Sequence, residues 1–467
     1  MIRLNKDFSF YLLTDLHYFS PSLTDKGPAY VRRSRSDQKC LVETNAIIDA
    51  QFEQLAKDKD TDTIIIPGDL VFDGEKQNHL ELIEKLKKLK DEGGKKIYLI
   101  TARHDYHSSP CGYFEDGTVP VEGTKREELA SLYHEYGFDS AISVYEDGLS
   151  YVAQLSDGIR LLALNCDGDC QSFKGLYEEQ LVWAQEQIAK AHKDGCYIFA
   201  MTHYPLLPGS PVLRFIDDAH LTDWEKTADR LADAGLDLIF TGHMHMQSFT
   251  QRTSAKGNTI TDICTGSLVG CPAYYRKVTI SDGTADIKSI PVCDFDYDKG
   301  GLTSEEYFKK RFDTVITDIV DAMAYDFNAF TSRFGGPDKL KAVKVPIMAF
   351  GKLLQKIKIK NLGALIFVKP DKSIENIYVK DIAVELARNI FVGNEPYVKG
   401  TAVYAFMDKM LDRLSFVTKI AKKKLRETSL GITDIKAFVL SLIGDEKQCD
   451  YDAKLEIRKM SADVKAE

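Results

Sequence analysis

The segment Phe240-Thr241-Gly242-His243-Met244-His245 ends in two histidines separated by one residue. Neutral imidazole is the commonest side-chain metal ligand. Side chains at i and i+2 point the same way only along extended backbone, so just past a strand the two rings can diverge toward neighbouring ions. Four upstream segments are built alike. Asp15 and His17 lie in Thr14-Asp15-Leu16-His17-Tyr18, and Asp69 lies in Pro67-Gly68-Asp69-Leu70. His104 and Asp105 lie in Thr101-Ala102-Arg103-His104-Asp105, and His203 lies in Thr202-His203-Tyr204-Pro205. Each follows a short apolar run. Mixed Asp and His ligation suits Mn, Fe, Zn or Co, not Ca or Mg alone. With one carboxylate bridging, two ions lie about 3.5–4 Å apart, an arrangement that clamps an attacking hydroxide and phosphoryl oxygens. The His104-Asp105 pair adds an imidazole whose orientation and charge a carboxylate can fix, as a proton donor requires.

Positioning these residues falls to the apolar runs. Segments 8–13, 63–66, 97–100, 196–201 and 236–240 read as buried strands, and 151–155 with 159–164 as a hairpin across Ser156-Asp157-Gly158. Helical spacing marks 42–55, 75–90, 176–191 and 224–234. Strand, loop and helix in alternation predict an α/β core with a largely parallel centre. Asp15, His17, Asp69, His203, His243 and His245 then converge at the carboxyl ends of its strands, where ligands of open sheets collect. Alternating segments across 247–289 read as antiparallel strands.

Residues 19–36 read as a polar loop. Its Arg32, Arg33 and Arg35 are either a solvated basic face or a phosphate clamp, since guanidinium forks match phosphate oxygens. Residues 108–123 read as a surface loop near the site. Cys166 and Cys170 flank Asp167-Gly168-Asp169, but without a second pair they read as structural cysteines.

From about residue 300 the texture becomes helical, near 304–330, 337–357, 373–392, 397–427 and 432–444. The expected division is therefore 1–297 and 298–467. Residues 353–360 and 419–426 are basic and apolar together. They read as packed helices with lysines facing water, in preference to helices lying on anionic lipid.

The 467 residues are 44% hydrophobic and 28% charged, the composition of a globular protein. The net charge of -9 argues against a broad nucleic-acid-binding face. No apolar run approaches the roughly 20 residues that span a bilayer. Nine cysteines and no apolar stretch at the N-terminus lead us to expect a cytoplasmic protein with reduced thiols.

The ordered set Asp15-Leu16-His17, Gly68-Asp69-Leu70, His104-Asp105, Thr202-His203-Tyr204-Pro205 and Gly242-His243-Met244-His245 resembles the calcineurin-like metallophosphoesterases, over about residues 8–290. Thr265-Gly266-Ser267 and Pro272-Ala273-Tyr274-Tyr275-Arg276 are similar to the closing strands of bacterial members. The resemblance implies a four-layer αββα sandwich, here with a C-terminal all-α appendage. It implies one metal on Asp15, His17 and His245, a second on His203 and His243, and Asp69 bridging them. It further implies that His104, with Asp105 as its partner, protonates the leaving oxygen while a metal-bound hydroxide attacks phosphorus.

One position departs from the family. Arg103 stands where members usually carry an asparagine whose oxygen binds the second metal. Arginine has no acceptor and stays charged. It either swings away, replaces the second cation and holds phosphate itself, or abolishes catalysis. The sequence thus leads us to expect a phosphomonoester or phosphodiester hydrolase with one or two Mn, Fe or Zn ions and a phosphorylated small-molecule substrate. A non-catalytic phosphate- or nucleotide-binding protein on the same scaffold is one rival, and a nuclease of the same superfamily is another.

Overall fold

A computed structural model describes residues 7–458, except 107–108, 170–171, 217, 333–343, 414–434, 442 and 444–448. In chain order the strands are β1 (Phe8–Leu12), β2 (Thr63–Pro67), β3 (Lys96–Ile100), β4 (Cys111–Phe114), β5 (Gly117–Pro120), β6 (Ala141–Val144), β7 (Tyr151–Ser156), β8 (Ile159–Ala163), β9 (Tyr197–Met201), β10 (Leu238–Thr241), β11 (Ser248–Thr253), β12 (Thr259–Cys264), β13 (Tyr274–Ser281), β14 (Thr284–Pro291) and β15 (Ala453–Glu456). One sheet runs β15-β14-β13-β1-β2-β3, a second runs β11-β12-β10-β9-β8-β7-β6, and β4-β5 is a separate hairpin.

Both sheets are mixed, with parallel centres. β1, β2 and β3 pair in parallel, as do β8, β9, β10 and β12. Ile64, Ile65 and Ile66 are fully buried because β2 is covered on both faces, which is why its sequence is a continuous β-branched run. The two sheets meet face to face through aromatic rings. Phe10 of β1 stacks on Phe199 of β9 at 5.1 Å and meets Phe240 of β10 edge-on at 5.4 Å. Leu12, Ile65 and Ile100 from the first sheet share this core with Ala163 and Met201 from the second.

Helices cover the outer faces. After α1 (Pro28–Arg35) come α2 (Thr44–Lys57), α3 (Lys76–Asp91), α4 (Arg126–Leu132), α5 (Glu178–Lys193) and α6 (Trp224–Ala234). Leu181, Ala184 and Ile188 of α5 and Ala228 and Leu231 of α6 pack with Ile198 of β9 and Ile239 of β10. The layers are therefore helix, sheet, sheet, helix. Two stretches expected as loop carry regular structure. Residues 28–35 form α1, opened by Pro28 at its first turn, which is a favoured start. Residues 108–123 contain the β4-β5 hairpin.

Later helices are α7 (Ser304–Tyr325), α8 (Phe327–Ser332), α9 (Lys344–Lys356), α10 (Ile359–Ile366), α11 (Val379–Val392), α12 (Ala402–Arg413) and α13 (Ile435–Ser441). The chain divides into two compact units. The second comprises 210–216 and 310–450, and its apolar centre includes Ile359, Val368, Ile374, Ile382, Val403 and Phe406. The first takes the rest, including the chain from Tyr451 onward. Here the structure differs from the expected division at 297/298. After the helices the chain returns, and Ala453–Glu456 pairs antiparallel with β14. Four alternating residues are too short a pattern to announce a strand. The basic segment 419–426 lies outside the described residues.

Candidate metal centre

The six residues expected as ligands lie past the carboxyl ends of β1, β2, β9 and β10. The sheets abut, so these ends open on one place. The local backbone is unusual: Asp15, His17, Asp69, His243 and His245 all have positive φ, between 41° and 62°. Left-handed conformations are costly for residues with a Cβ, and they persist where surrounding structure imposes them, typically at functional sites. Gly242 lets the turns close, because a Cβ there would fall 2.5 Å from Asp15 Oδ2.

The candidate ligand atoms gather in two groups, Asp15-His17-His245 and Asp69-His203-His243, each with its donors within 4.8 Å of one another. In the first, His17 Nε2 lies 3.0 Å from His245 Nε2, and Asp15 Oδ1 lies 3.2 Å from His245 Nε2. Asp69 Oδ2 faces both groups, 3.6 Å from His17 Nε2 and 3.2 Å from His203 Nε2. With metal–ligand bonds of about 2.0–2.2 Å, donor atoms around one ion are separated by about 3.0–3.6 Å. The separations of 3.0 and 3.2 Å about His245 Nε2 fit, and the 3.7 Å between His17 Nε2 and Asp15 Oδ1 lies just beyond.

The surroundings aim these donors. His203 Nδ1 bonds Pro67 O at 2.9 Å, which directs Nε2 inward, and Nε2 has no hydrogen-bond partner among the described residues. His243 Nε2 bonds Asp218 O at 2.6 Å, leaving its Nδ1 lone pair. The Asp15 carboxylate accepts from Thr14 Oγ1 at 2.5 Å and from the His243 amide at 3.0 Å. Burial opposes ionisation of Asp15 and Asp69, yet nearby imidazoles hold both carboxyls well below their usual range. Burial, reinforced by Lys39, pushes His17 down to about 3. Against its burial, His203 beside Asp69 and Asp15 is instead pushed up to about 10, so that a proton balances the carboxylates where a divalent cation would otherwise do so. Carboxylates and imidazoles in this mixture form the donor set of such a cation.

His104 and Asp105 part company. The Asp105 carboxylate does not hold the imidazole. Its oxygens accept the amides of Leu70 (2.8 Å), Val71 (3.0 Å) and Ala102 (2.8 Å). It ties the turn after β3 to the turn after β2. Burial and the charge of Asp69 push its pKa up. His104 Nδ1 instead lies 2.8 Å from Asp73 Oδ1, while Nε2 points away, 3.4 Å from Lys39 Nζ. Sequence reasoning passes over Asp73, although Gly68-Asp69-Leu70-Val71-Phe72-Asp73-Gly74 places it four residues beyond Asp69. Arg103 Nη1 is 3.7 Å from Asp218 Oδ1, a carboxylate that Lys174 also contacts.

The other sequence candidates are not among the donors of either group. Exposed Arg32 pairs with Asp116 at 3.1 Å, and Arg33 pairs with Asp37 at 2.7 Å. Cys166 is buried, which raises its thiol pKa, and its sulfur receives the Tyr204 amide at 3.4 Å. Cys170 lies outside the described residues.

The family model for calcineurin-like phosphoesterases matches residues 8–247, about half the chain and all six expected ligand positions. The protein belongs to this family. Its members are metal-dependent phosphoester hydrolases. No curated protein matches the chain. Among solved structures, a dimetal phosphatase from Danio rerio is 13% identical, covering 60% of this chain and 95% of its own, with a TM-score of 0.42. A purple acid phosphatase from yellow lupin (Lupinus luteus) seeds is 12% identical, covering 63% and 53%, with a TM-score of 0.40. The assignment rests on the family match, not on these likenesses. No helix among the described residues is long and apolar enough to cross a membrane.

Proposed function

We propose that this protein hydrolyses a phosphomonoester or phosphodiester at a two-ion centre of Mn, Fe or Zn. The observation that carries the reading is Asp69 Oδ2, which faces His17 of one donor group and His203 of the other. Asp15, His17 and His245 would hold one ion and His203 and His243 the other, with Asp69 common to both. When bound, the ions supply Lewis acidity for the phosphoryl oxygens and lower the pKa of water.

The chain's own residues do the rest. Asp73 fixes the His104 ring and its Nδ1 proton, leaving Nε2 to face the ester oxygen that departs. Asp105 holds the turn that carries His104. Arg103 is directed toward Asp218, which favours the reading in which it swings clear of the second ion.

Elemental mass spectrometry of protein purified without chelator, with turnover of aryl phosphate and bis-aryl phosphate, tests the proposal. About two ions per chain and metal-stimulated turnover are expected. Asp69→Ala should lose both ions. Two retained ions would refute the bridging role, and a metal-loaded wild type inert on both esters would refute the hydrolase reading.

A further inference from the structure

Lys39 is a charged residue in the interior, only 6% exposed. Lysine is almost never fully buried without a purpose or a partner. Its segment is stitched to the loop behind the metal centre. Lys39 forms a bridge with Gly270, Cys40 N donates to Val269 O at 2.7 Å, and Gln38 Nε2 donates to His245 O at 3.2 Å. Lys39 Nζ lies over the Phe72 ring, 5.4 Å from the centroid. The ammonium ends 3.4 Å from His104 Nε2, the ring atom that Asp73 does not occupy. Its charge is felt at Asp37, where burial alone would favour the neutral acid but Lys39 and Arg33 keep the carboxyl far below its usual range.

Two nitrogens 3.4 Å apart can both bond one oxygen at about 2.8 Å, since the three atoms then close a triangle. We propose that Lys39 is a substrate-binding catalytic residue: its ammonium and His104 Nε2 grip the same ester oxygen, the one that departs with the leaving group. As the phosphorus–oxygen bond breaks, its electron pair stays on that oxygen. Lys39 then donates a hydrogen bond to growing negative charge and transfers no proton. The interaction is stronger in the transition state than in the ground state, which is what acceleration requires. A desolvated ammonium beside cations is costly to keep, and the carboxylates of Asp37 and Asp73 offset it. The inference rests on the hydrolase reading above and extends it to a residue outside the metal-binding motifs.

Lys39→Met and Lys39→Arg, compared with wild type over aryl phosphates graded from good to poor leaving groups, test it. Lys39→Met should lose about 100-fold in kcat for the poorest leaving group and about tenfold or less for the best, with metal content and Tm unchanged. Lys39→Arg should recover part of the loss. A uniform loss across the series, or none, would overturn the assignment. Calorimetric titration of Mn-loaded protein with inorganic phosphate is independent of turnover. Lys39→Met should weaken binding about tenfold, because phosphate presents an oxygen at the leaving position. Unchanged phosphate affinity overturns the inference even if no ester is hydrolysed. Wild type that binds phosphate through Lys39 but turns over nothing would overturn the hydrolase reading alone.

Discussion

His104 and Asp105 are neighbours in sequence, but the imidazole of His104 pairs with Asp73, 2.8 Å away, while Asp105 turns back to hold three amides. The two carboxylates should therefore fail differently. Asp73→Asn keeps the shape but removes the charge that orients and supports the ring. It should lower kcat about 10–100-fold with metal content and Tm unchanged. Asp105→Asn sets an NH2 group against backbone N–H donors and should destabilise the fold by about 2–3 kcal/mol. Urea unfolding beside kcat separates the two, and a stable, catalytically impaired Asp105→Asn would reverse the assignment.

The motif residues were legible because each stands at a strand end whose apolar run is visible in sequence. Asp15, Asp69, His203 and His245 follow β-branched, aliphatic or aromatic segments that can only be interior strands. The sheet edge then brings them together without further information. Asp73 and Lys39 were not legible, because they lie in irregular chain that no periodicity marks. They reach His104 only through the turn after β2 and the bridge between Lys39 and Gly270. The pairing of His104 with Asp105 looked natural because adjacency in sequence suggests contact. In the tight turn of 103–105, Asp105 instead accepts the Ala102 amide, so its carboxylate folds away from the ring.

Asp218 lies in no family motif, yet it engages Arg103 and Lys174, and its carbonyl accepts a hydrogen bond from His243 Nε2. Asp218→Ala keeps the carbonyl and releases two cations beside the Asp69-His203-His243 group. Binding of the second ion should weaken about tenfold by elemental analysis after dialysis, since a unit charge near 4 Å costs a few kcal/mol at an effective dielectric of about 20 and water screens part of it. Adding Arg103→Asn should restore occupancy. If the double variant stays depleted, the guanidinium is not what displaces the ion.

Glu75 introduces a pH dependence that does not involve the metal. It is fully buried. Oε2 accepts from the Asp73 amide at 2.9 Å and from Asn78 Nδ2 at 2.6 Å, and Oε1 has no hydrogen-bond partner among the described residues. Burial pushes its pKa up from 4.5 to about 7. The folded state thus binds a proton that the unfolded state has already released. The stability present below the unfolded pKa is lost as pH rises through about 7, on the order of 3 kcal/mol. Glu75→Gln should remove that slope. Urea midpoints of chelator-treated wild type and variant should diverge between pH 4.5 and 7.5, with the variant gaining as the pH rises. Parallel curves would show that Glu75 ionises at its ordinary pKa.

Arg276 is fully buried on β13 and joins three parts of the first unit. Nε donates to Thr265 Oγ1 at 3.0 Å and Nη2 to Cys264 O at 3.0 Å, at the end of β12, while Nη1 donates to Tyr451 O at 2.9 Å, where the chain returns to form β15. Its guanidinium also lies 4.5 Å from the Phe249 ring centroid. Arg276→Met replaces it with a side chain of similar length but no donors, leaving the Cys264 and Tyr451 carbonyls without this donor. A buried acceptor that loses its donor costs about 1–3 kcal/mol. Lysine cannot reproduce directed bonds from three nitrogens of one fork, so Arg276→Lys should recover little. The loss should not spread evenly. Hydrogen exchange should accelerate most at Ala453–Glu456, because the Tyr451 tether aligns that strand on β14. An urea midpoint shift without faster exchange in that strand would mean that Arg276 supports the β12–β13 connection alone.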